Sequence, residues 1–249
     1  MKLKIATFMF SFLYVLTAVN AQNIITDRPD FTESAVVVSG KILQIESGLE
    51  YVDYKTSEEL SYPKALARIG LGQNLEVRLG ILGWTNVTID NKSENFFNDF
   101  ILEAKYQITD TDAKIPVSVL LVSKLPTGDE EVSSNEAEVG LKIATAFSIN
   151  DFIGLGINVG AISVDNAGTR EILSLASASM GIGIVDKLSA FIETYVNVPQ
   201  NDVWMPILDF GFTYLINSDI QLDLYAGKGL NEYTPDFFIG AGFSFRSGF

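Results

Sequence analysis

Side chains in the stretch 235–249 alternate between two characters with a period of two, and this pattern constrains the chain more than any other feature. Phe237, Ile239, Ala241, Phe243, Phe245 and Phe249 share one parity; Gly240, Gly242, Ser244, Arg246 and Gly248 share the other. Successive residues of an extended strand point to opposite faces. One face is therefore apolar, and the other is small, polar or charged. The same division recurs along the chain. Ile220, Leu222 and Leu224 oppose Gln221, Asp223 and Tyr225, while Leu75, Val77, Leu79 and Ile81 oppose Asn74, Glu76 and Arg78. About twelve segments follow this rule, at 41–54, 64–72, 74–84, 99–108, 115–125, 136–149, 151–162, 170–182, 187–198, 203–216, 219–227 and 235–247. Ten is the alternative count. Short connections around 73–74, 109–114, 150–151, 185–187 and 217–219 alternate with longer ones at 55–63, 85–98, 126–135, 163–169, 199–202 and 228–234.

Two architectures show such alternation. A soluble β-sandwich or lipocalin-like barrel turns its apolar face inward and covers itself with polar residues. A transmembrane antiparallel β-barrel does the reverse, with short turns at one end and longer loops at the other. The apolar parity here is dense in Leu, Ile, Val and Phe, whereas the opposite parity mixes glycine with charges of both signs. That composition suits a crowded, wet lumen. The expected fold is all-β, a transmembrane barrel of about 12 strands.

The N-terminus agrees. Lys2 and Lys4 precede a mostly apolar run from Ile5 to Val19, and Val19-Asn20-Ala21 has the small residues of a cleavage site. This is the layout of a secretory signal peptide over residues 1–21, cleaved after Ala21. No later run is long and apolar enough for a membrane helix, and no cysteine is present to carry a lipid anchor. The expected location is the outer membrane, with residues 22–40 as a periplasmic or luminal segment and 41–249 as the barrel. Trp84 and Trp204 fall at outer strand ends, and Tyr106, Tyr214 and Phe249 at inner ones, as interfacial girdles require. The aromatic strand ending at Phe249 is expected to be read by the barrel-assembly machinery.

Composition excludes several chemistries. The chain has no His and no Cys, so His-based triads, thiolate nucleophiles and the common transition-metal sites are impossible. A formal charge of −14 gives no electrostatic reason to bind nucleic acid. No cofactor or metal is expected. The acidic run of Asp129, Glu130, Glu131, Glu136 and Glu138 lacks calcium-loop spacing and reads as a solvated outer loop. The glycines at 154, 156 and 160 lack a nucleotide loop's spacing and read as small inward residues of a strand.

By parity, the lumen face collects Gln44, Glu46, Glu50, Arg68, Glu76, Arg78, Glu103, Lys105, Lys142, Glu193, Asp209, Asp223 and Arg246. Such charges can form a selectivity ladder or pair with one another and fill the interior; parity leaves both open. Residues 22–40 carry Asp27, Arg28, Asp30 and Glu33. A flexible tail is one reading. A plug in the periplasmic mouth suits Phe31 and Val36 to Val38 better, since these are poor residues for a solvated tail. Arg28 is expected to pair with a lumen carboxylate.

A resemblance rests on the early residues. Thr26-Asp27-Arg28-Pro29-Asp30-Phe31-Thr32-Glu33-Ser34 is followed by Gly40 and Gln44-Ile45-Glu46-Ser47-Gly48. Then come Pro63, Leu66, Arg68, Gly70 and the run from Leu75 to Gly80. This resembles the outer-membrane transporter-like family named for the meta-pathway of phenol degradation, as found in Bacteroidetes-type bacteria. The resemblance implies a barrel of this size that passes small organic solutes, often aromatic or hydrophobic, and it assigns no ligand residues. The sequence admits two other readings: a structural or surface-binding barrel with a filled lumen, and an outer-membrane enzyme. Lack of His removes the usual lipase arrangement, so no enzyme is expected. Modest loops argue against elaborate surface binding.

Overall fold

A computed structural model describes residues 23–110, 112–134, 136–166 and 168–249. The expected signal peptide at 1–21 lies outside the described residues. The strands are β1 (Ile42–Tyr54), β2 (Ser57–Gly70), β3 (Leu75–Ile81), β4 (Trp84–Ile89), β5 (Lys92–Phe97), β6 (Phe100–Gln107) and β7 (Val117–Leu125). They continue with β8 (Glu138–Ser148), β9 (Ile153–Asn166), β10 (Thr169–Val185), β11 (Leu188–Pro199), β12 (Met205–Asn217), β13 (Ile220–Gly229) and β14 (Phe237–Gly248).

All pairings between these strands are antiparallel, and β1 closes the sheet by pairing with both β2 and β14. The fourteen strands make twelve staves, because β4 continues β3 beyond Leu82-Gly83 and β5 runs into β6 through Asn98-Asp99. The inner half of β2 pairs with β3, from Ala65↔Ile81 to Gly70↔Glu76. Its outer half pairs with β4, from Glu58↔Thr88 to Tyr62↔Trp84.

Three expected long loops are not loops. Residues 85–98 form the β4–β5 hairpin, turning at Asp90 and Asn91 with φ of 51° and 62°. Successive positive φ values mark the hairpin turns that follow the natural strand twist, and Asp and Asn tolerate them. Residues 55–63 reduce to a tight turn at Lys55-Thr56, with the rest in β2. The 163–169 connection is likewise mostly strand, and Asn166 pairs with Thr169. These stretches stand above the barrel with water on both faces. Their side chains need no apolar alternation, so periodicity does not reveal them.

Burial decides between the two sequence-level architectures. Leu79, Leu102, Leu141, Ile143, Leu222, Leu224 and Phe243 are exposed. The alternating Glu76, Arg78, Lys105, Gln221, Asp223 and Ser244 are buried. A soluble protein cannot be built this way, because the apolar face would meet water; a lipid-embedded barrel is built this way. Trp84 and Trp204 are exposed toward the loop end, and Tyr106 and Tyr214 toward the turn end.

Candidate functional site

Residues 23–39 have no regular secondary structure, yet most are wholly or partly buried inside the barrel. A buried irregular backbone needs partners for its N–H groups, and the wall supplies them. Glu46 Oε2 accepts from the N–H groups of Asp27 at 3.0 Å and Arg28 at 2.8 Å. Glu193 accepts from Phe31 and Thr32, each at 2.6 Å. Asn158 Oδ1 accepts from Glu33 at 2.6 Å, and Glu76 Oε2 from Val38 at 2.5 Å. Asp27 closes the segment on itself by accepting from the Ser34 N–H at 2.6 Å.

Side chains complete the docking. The Phe31 ring stacks on Tyr195 with centroids 4.2 Å apart and planes 7° from parallel. Ala35 packs with Leu120, Val122 and Ala144, and its carbonyl accepts the Ser118 hydroxyl at 2.6 Å.

One side of the lumen is a dense ion-pair network. Arg68 reaches Glu76 at 2.8 Å, Glu46 at 2.9 Å and Asp27 at 3.4 Å. Arg78 reaches Glu33 at 2.5 Å, Glu76 at 2.7 Å and Glu103 at 2.8 Å, and also meets Asp27. Lys105 donates to the Ser34 carbonyl at 2.8 Å and lies 3.5 Å from Asp27. Lys142 pairs with Glu33 at 2.6 Å. Arg68, Arg78 and Lys105 are at most 1% exposed, so their charges are satisfied by the protein and not by water.

The other side is acidic. Arg28 binds Asp223 through two nitrogens, at 2.8 and 3.3 Å, and its guanidinium carbon lies 5.7 Å from the centre of the Tyr225 ring. A Cβ at Gly48 or Gly242 would collide with that guanidinium, so the two glycines open the seat for Arg28. Tyr225 donates to Glu50 at 2.7 Å, and Lys64 pairs with Glu50 at 2.5 Å. Asp209 stands directly across the strand pair from Glu193, where like charges are destabilising. Its Oδ1 is buried with no hydrogen-bond partner among the described residues. Asp30 is held by the Ser179 hydroxyl at 2.6 Å. Among the described residues, no Lys or Arg pairs with Asp30, Glu193 or Asp209. Burial, then the charge of Glu193, pushes the Asp30 carboxyl up to about 7, against the Ser179 hydrogen bond.

The lumen is hollow on both sides of the segment. An outer cavity of about 250 Å³ is lined by Phe31, Leu66, Leu82, Ile101, Lys64 and Lys142, among others. An inner cavity of about 490 Å³ is lined by Lys114, Ala146, Gly154, Gly156, Ser179 and Gly181, among others. Asp30 and Glu33 line both. The partition between them is one chain thick.

The residues singled out by parity thus divide into groups. Gln44, Glu46, Arg68, Glu76, Arg78, Glu103, Lys105 and Lys142 gather around Asp27 and Glu33. Glu50, Glu193, Asp209 and Asp223 lie on the acidic side. Arg246 sits at the inner rim, bonded to Asp219 at 2.9 Å, beside a small cavity of about 120 Å³. The parity reading omitted Ser118, Asn158, Ser177 and Ser179, which hold the segment without charge. Asn158 shares the parity of Gly154, Gly156 and Gly160, and that was its available signal.

A closed barrel, apolar outside and charged within, with a chain segment docked in its lumen, defines an outer-membrane β-barrel protein. The chain belongs to the family described as "Putative MetA-pathway of phenol degradation", whose profile matches residues 26–247 and so takes in most of the docked segment. Among solved structures it is similar to an outer membrane channel from Pseudomonas putida F1, at 13% identity and a TM-score of 0.67, covering 90% of this chain and 100% of that one. It is also similar to the NanC porin, at 15% identity and a TM-score of 0.57, covering 82% of this chain and 98% of the other. The KdgM porin in complex with disordered oligogalacturonate is similar at 6% identity and a TM-score of 0.54, covering 82% of this chain and 98% of that one. No curated protein matches in sequence.

Proposed function

We propose that this barrel is a channel for small organic solutes across the outer membrane, with its N-terminal segment as the internal barrier. The observation that carries this reading is the pair of cavities on either side of a partition one chain thick. A barrel with a purely structural role has no need of a lumen hollow at both ends. The outer cavity combines apolar walls from Phe31, Leu66, Leu82 and Ile101 with a few charged groups, which suits a compact, largely hydrophobic or aromatic molecule. The similar structures named as a channel and as porins support conduction.

Residues 1–21 serve as the export signal in this reading, and the aromatic face of β14 fits recognition by the assembly machinery. The protein acts by passage and not by chemistry. The competing reading, a filled structural barrel, draws on the ion-paired docking of the segment. Uptake into proteoliposomes separates them. Purified barrel should admit a small neutral aromatic solute faster than protein-free vesicles do. Equal rates would overturn the channel reading.

A further inference from the structure

Asp30 and Glu33 are the two side chains shared by both cavities, and they are held very differently. The Glu33 carboxylate is pinned by Arg78 at 2.5 Å and Lys142 at 2.6 Å. Its backbone is clamped by Asn158, which accepts its N–H at 2.6 Å and donates to its carbonyl at 3.1 Å. The Asp30 side chain has a single hydroxyl, that of Ser179, at 2.6 Å. The partition therefore has one fixed post and one lightly latched one.

Room exists for the latched side chain to move. On the inner side two of the lining glycines, Gly154 and Gly181, are not demanded by packing, whereas a Cβ on Gly156 would stand 3.2 Å from Thr32. A Cβ on Gly181 would meet nothing within 4 Å, and on Gly154 its nearest neighbour would lie at 4.0 Å. Contrast Gly48 and Gly242, which are glycine because Arg28 fills the space. Gly154 and Gly181 instead leave the cavity wide.

The charges that act most on Asp30, those of Glu193 and Asp223, share its sign, and Lys114 lines the inner cavity at its turn end. Glu193 of β11 and Asp209 of β12 have no cation partner among the described residues, and Asp209 Oδ1 is buried without a partner. Asp223 of β13 is matched by Arg28. The cations near the outer cavity are already matched: Lys142 by Glu33, Lys64 by Glu50, and Arg78 by several acids.

We propose that solutes pass from the outer to the inner cavity beside the docked segment, through a port opened when the Asp30 side chain swings off Ser179, and that this port favours cations and neutral molecules over anions. The proposal rests on the channel reading and adds a route and a selectivity. The segment itself stays in place. Unpaired carboxylates at a narrow point repel anions and attract cations.

The test uses the full chain in planar bilayers at about pH 8.5, above the point near 7 where Asp30 loses its proton, with reversal potentials read across a KCl gradient. Because the chain has no cysteine, Ala35→Cys with Ser118→Cys gives a clean tether that locks the segment to β7; mass spectrometry confirms the disulfide. The wild type should conduct with K⁺ preferred over Cl⁻. Asp30→Asn should reduce the preference several-fold, and Asp30→Lys should invert it. Gly181→Trp should cut conductance, and the oxidised tether should leave it intact. Loss of conduction in the tethered form would show that the whole segment must leave, and would overturn the port while sparing the channel. An unchanged reversal potential in Asp30→Lys, in protein shown to be folded by its heat-modifiable gel mobility, would do the same. A silent wild type would overturn both the port and the channel.

Discussion

The two sides of the lumen bury charge in opposite ways. Around Arg68 and Arg78, on β2, β3, β6 and β8, every cation faces carboxylates at hydrogen-bond distance. Around Asp30, Glu193 and Asp209, carboxylates face one another and only hydroxyls and N–H groups answer them. A buried pair is costly to break, because the remaining partner keeps its desolvation penalty without its compensation. A buried unpaired acid is costly to keep. The first side thus fixes the segment at Asp27 and Glu33, and the second leaves Asp30 poised. A single docked segment has a rigid anchor and a loose edge.

The largest expected effect comes from breaking the paired side. Arg78→Met leaves Glu33, Glu76, Glu103 and Asp27 around an apolar chain, and should lower stability by about 3–5 kcal/mol. Urea unfolding of the refolded barrel in detergent measures it. Asp209→Asn should move the urea midpoint the opposite way, by roughly 1–3 kcal/mol, since it removes a buried acid whose Oδ1 has no partner among the described residues. Equal destabilisation by both variants would erase the contrast between the two sides.

The pH response sharpens the same comparison. Asp30 in the folded protein takes up its proton near pH 7, against an ordinary value of 3.8. Between those limits the folded state binds a proton that the unfolded state has lost. Stability therefore falls as pH rises through that window and levels off above about 7. Asp30→Asn should remove this contribution, so the difference between urea midpoints at pH 5 and pH 8 should shrink. An undiminished difference would place the titration elsewhere.

Arg28 lies between the two regimes, with an acid of its own but on the acidic side. Replacing Arg28 with Ala frees Asp223 and empties the seat that Gly48 and Gly242 provide. Single-channel conductance should rise modestly, and no change would separate Arg28 from the permeation path.

Parity along the strands carried the barrel and the inward set, because lipid enforces alternation on every stave that touches it. It could not say which inward charges meet. Arg68 and Glu76 sit on neighbouring strands, but Glu33 reaches Arg78 and Lys142 only because an irregular segment crosses the lumen, and no periodicity encodes that path. Asn158 and Ser179 escaped notice because uncharged polar residues on a glycine-rich parity look like filling. The β4–β5 hairpin escaped because water surrounds it.

The smallest expected effect is the control for the whole contrast. Arg170 and Glu136 form an ion pair at 2.6 Å, with side chains 42% and 62% exposed. Its geometry matches the pairs of Arg78, but its solvent does not. Exposed pairs gain little, because water and salt already screen both charges and ordering two long side chains costs entropy. Arg170→Gln should therefore change stability by about 0–1 kcal/mol, and high salt should erase the difference. If Arg170→Gln instead cost as much as Arg78→Met, burial would not be what separates the anchor from the rest of the molecule, and the pairing itself would be.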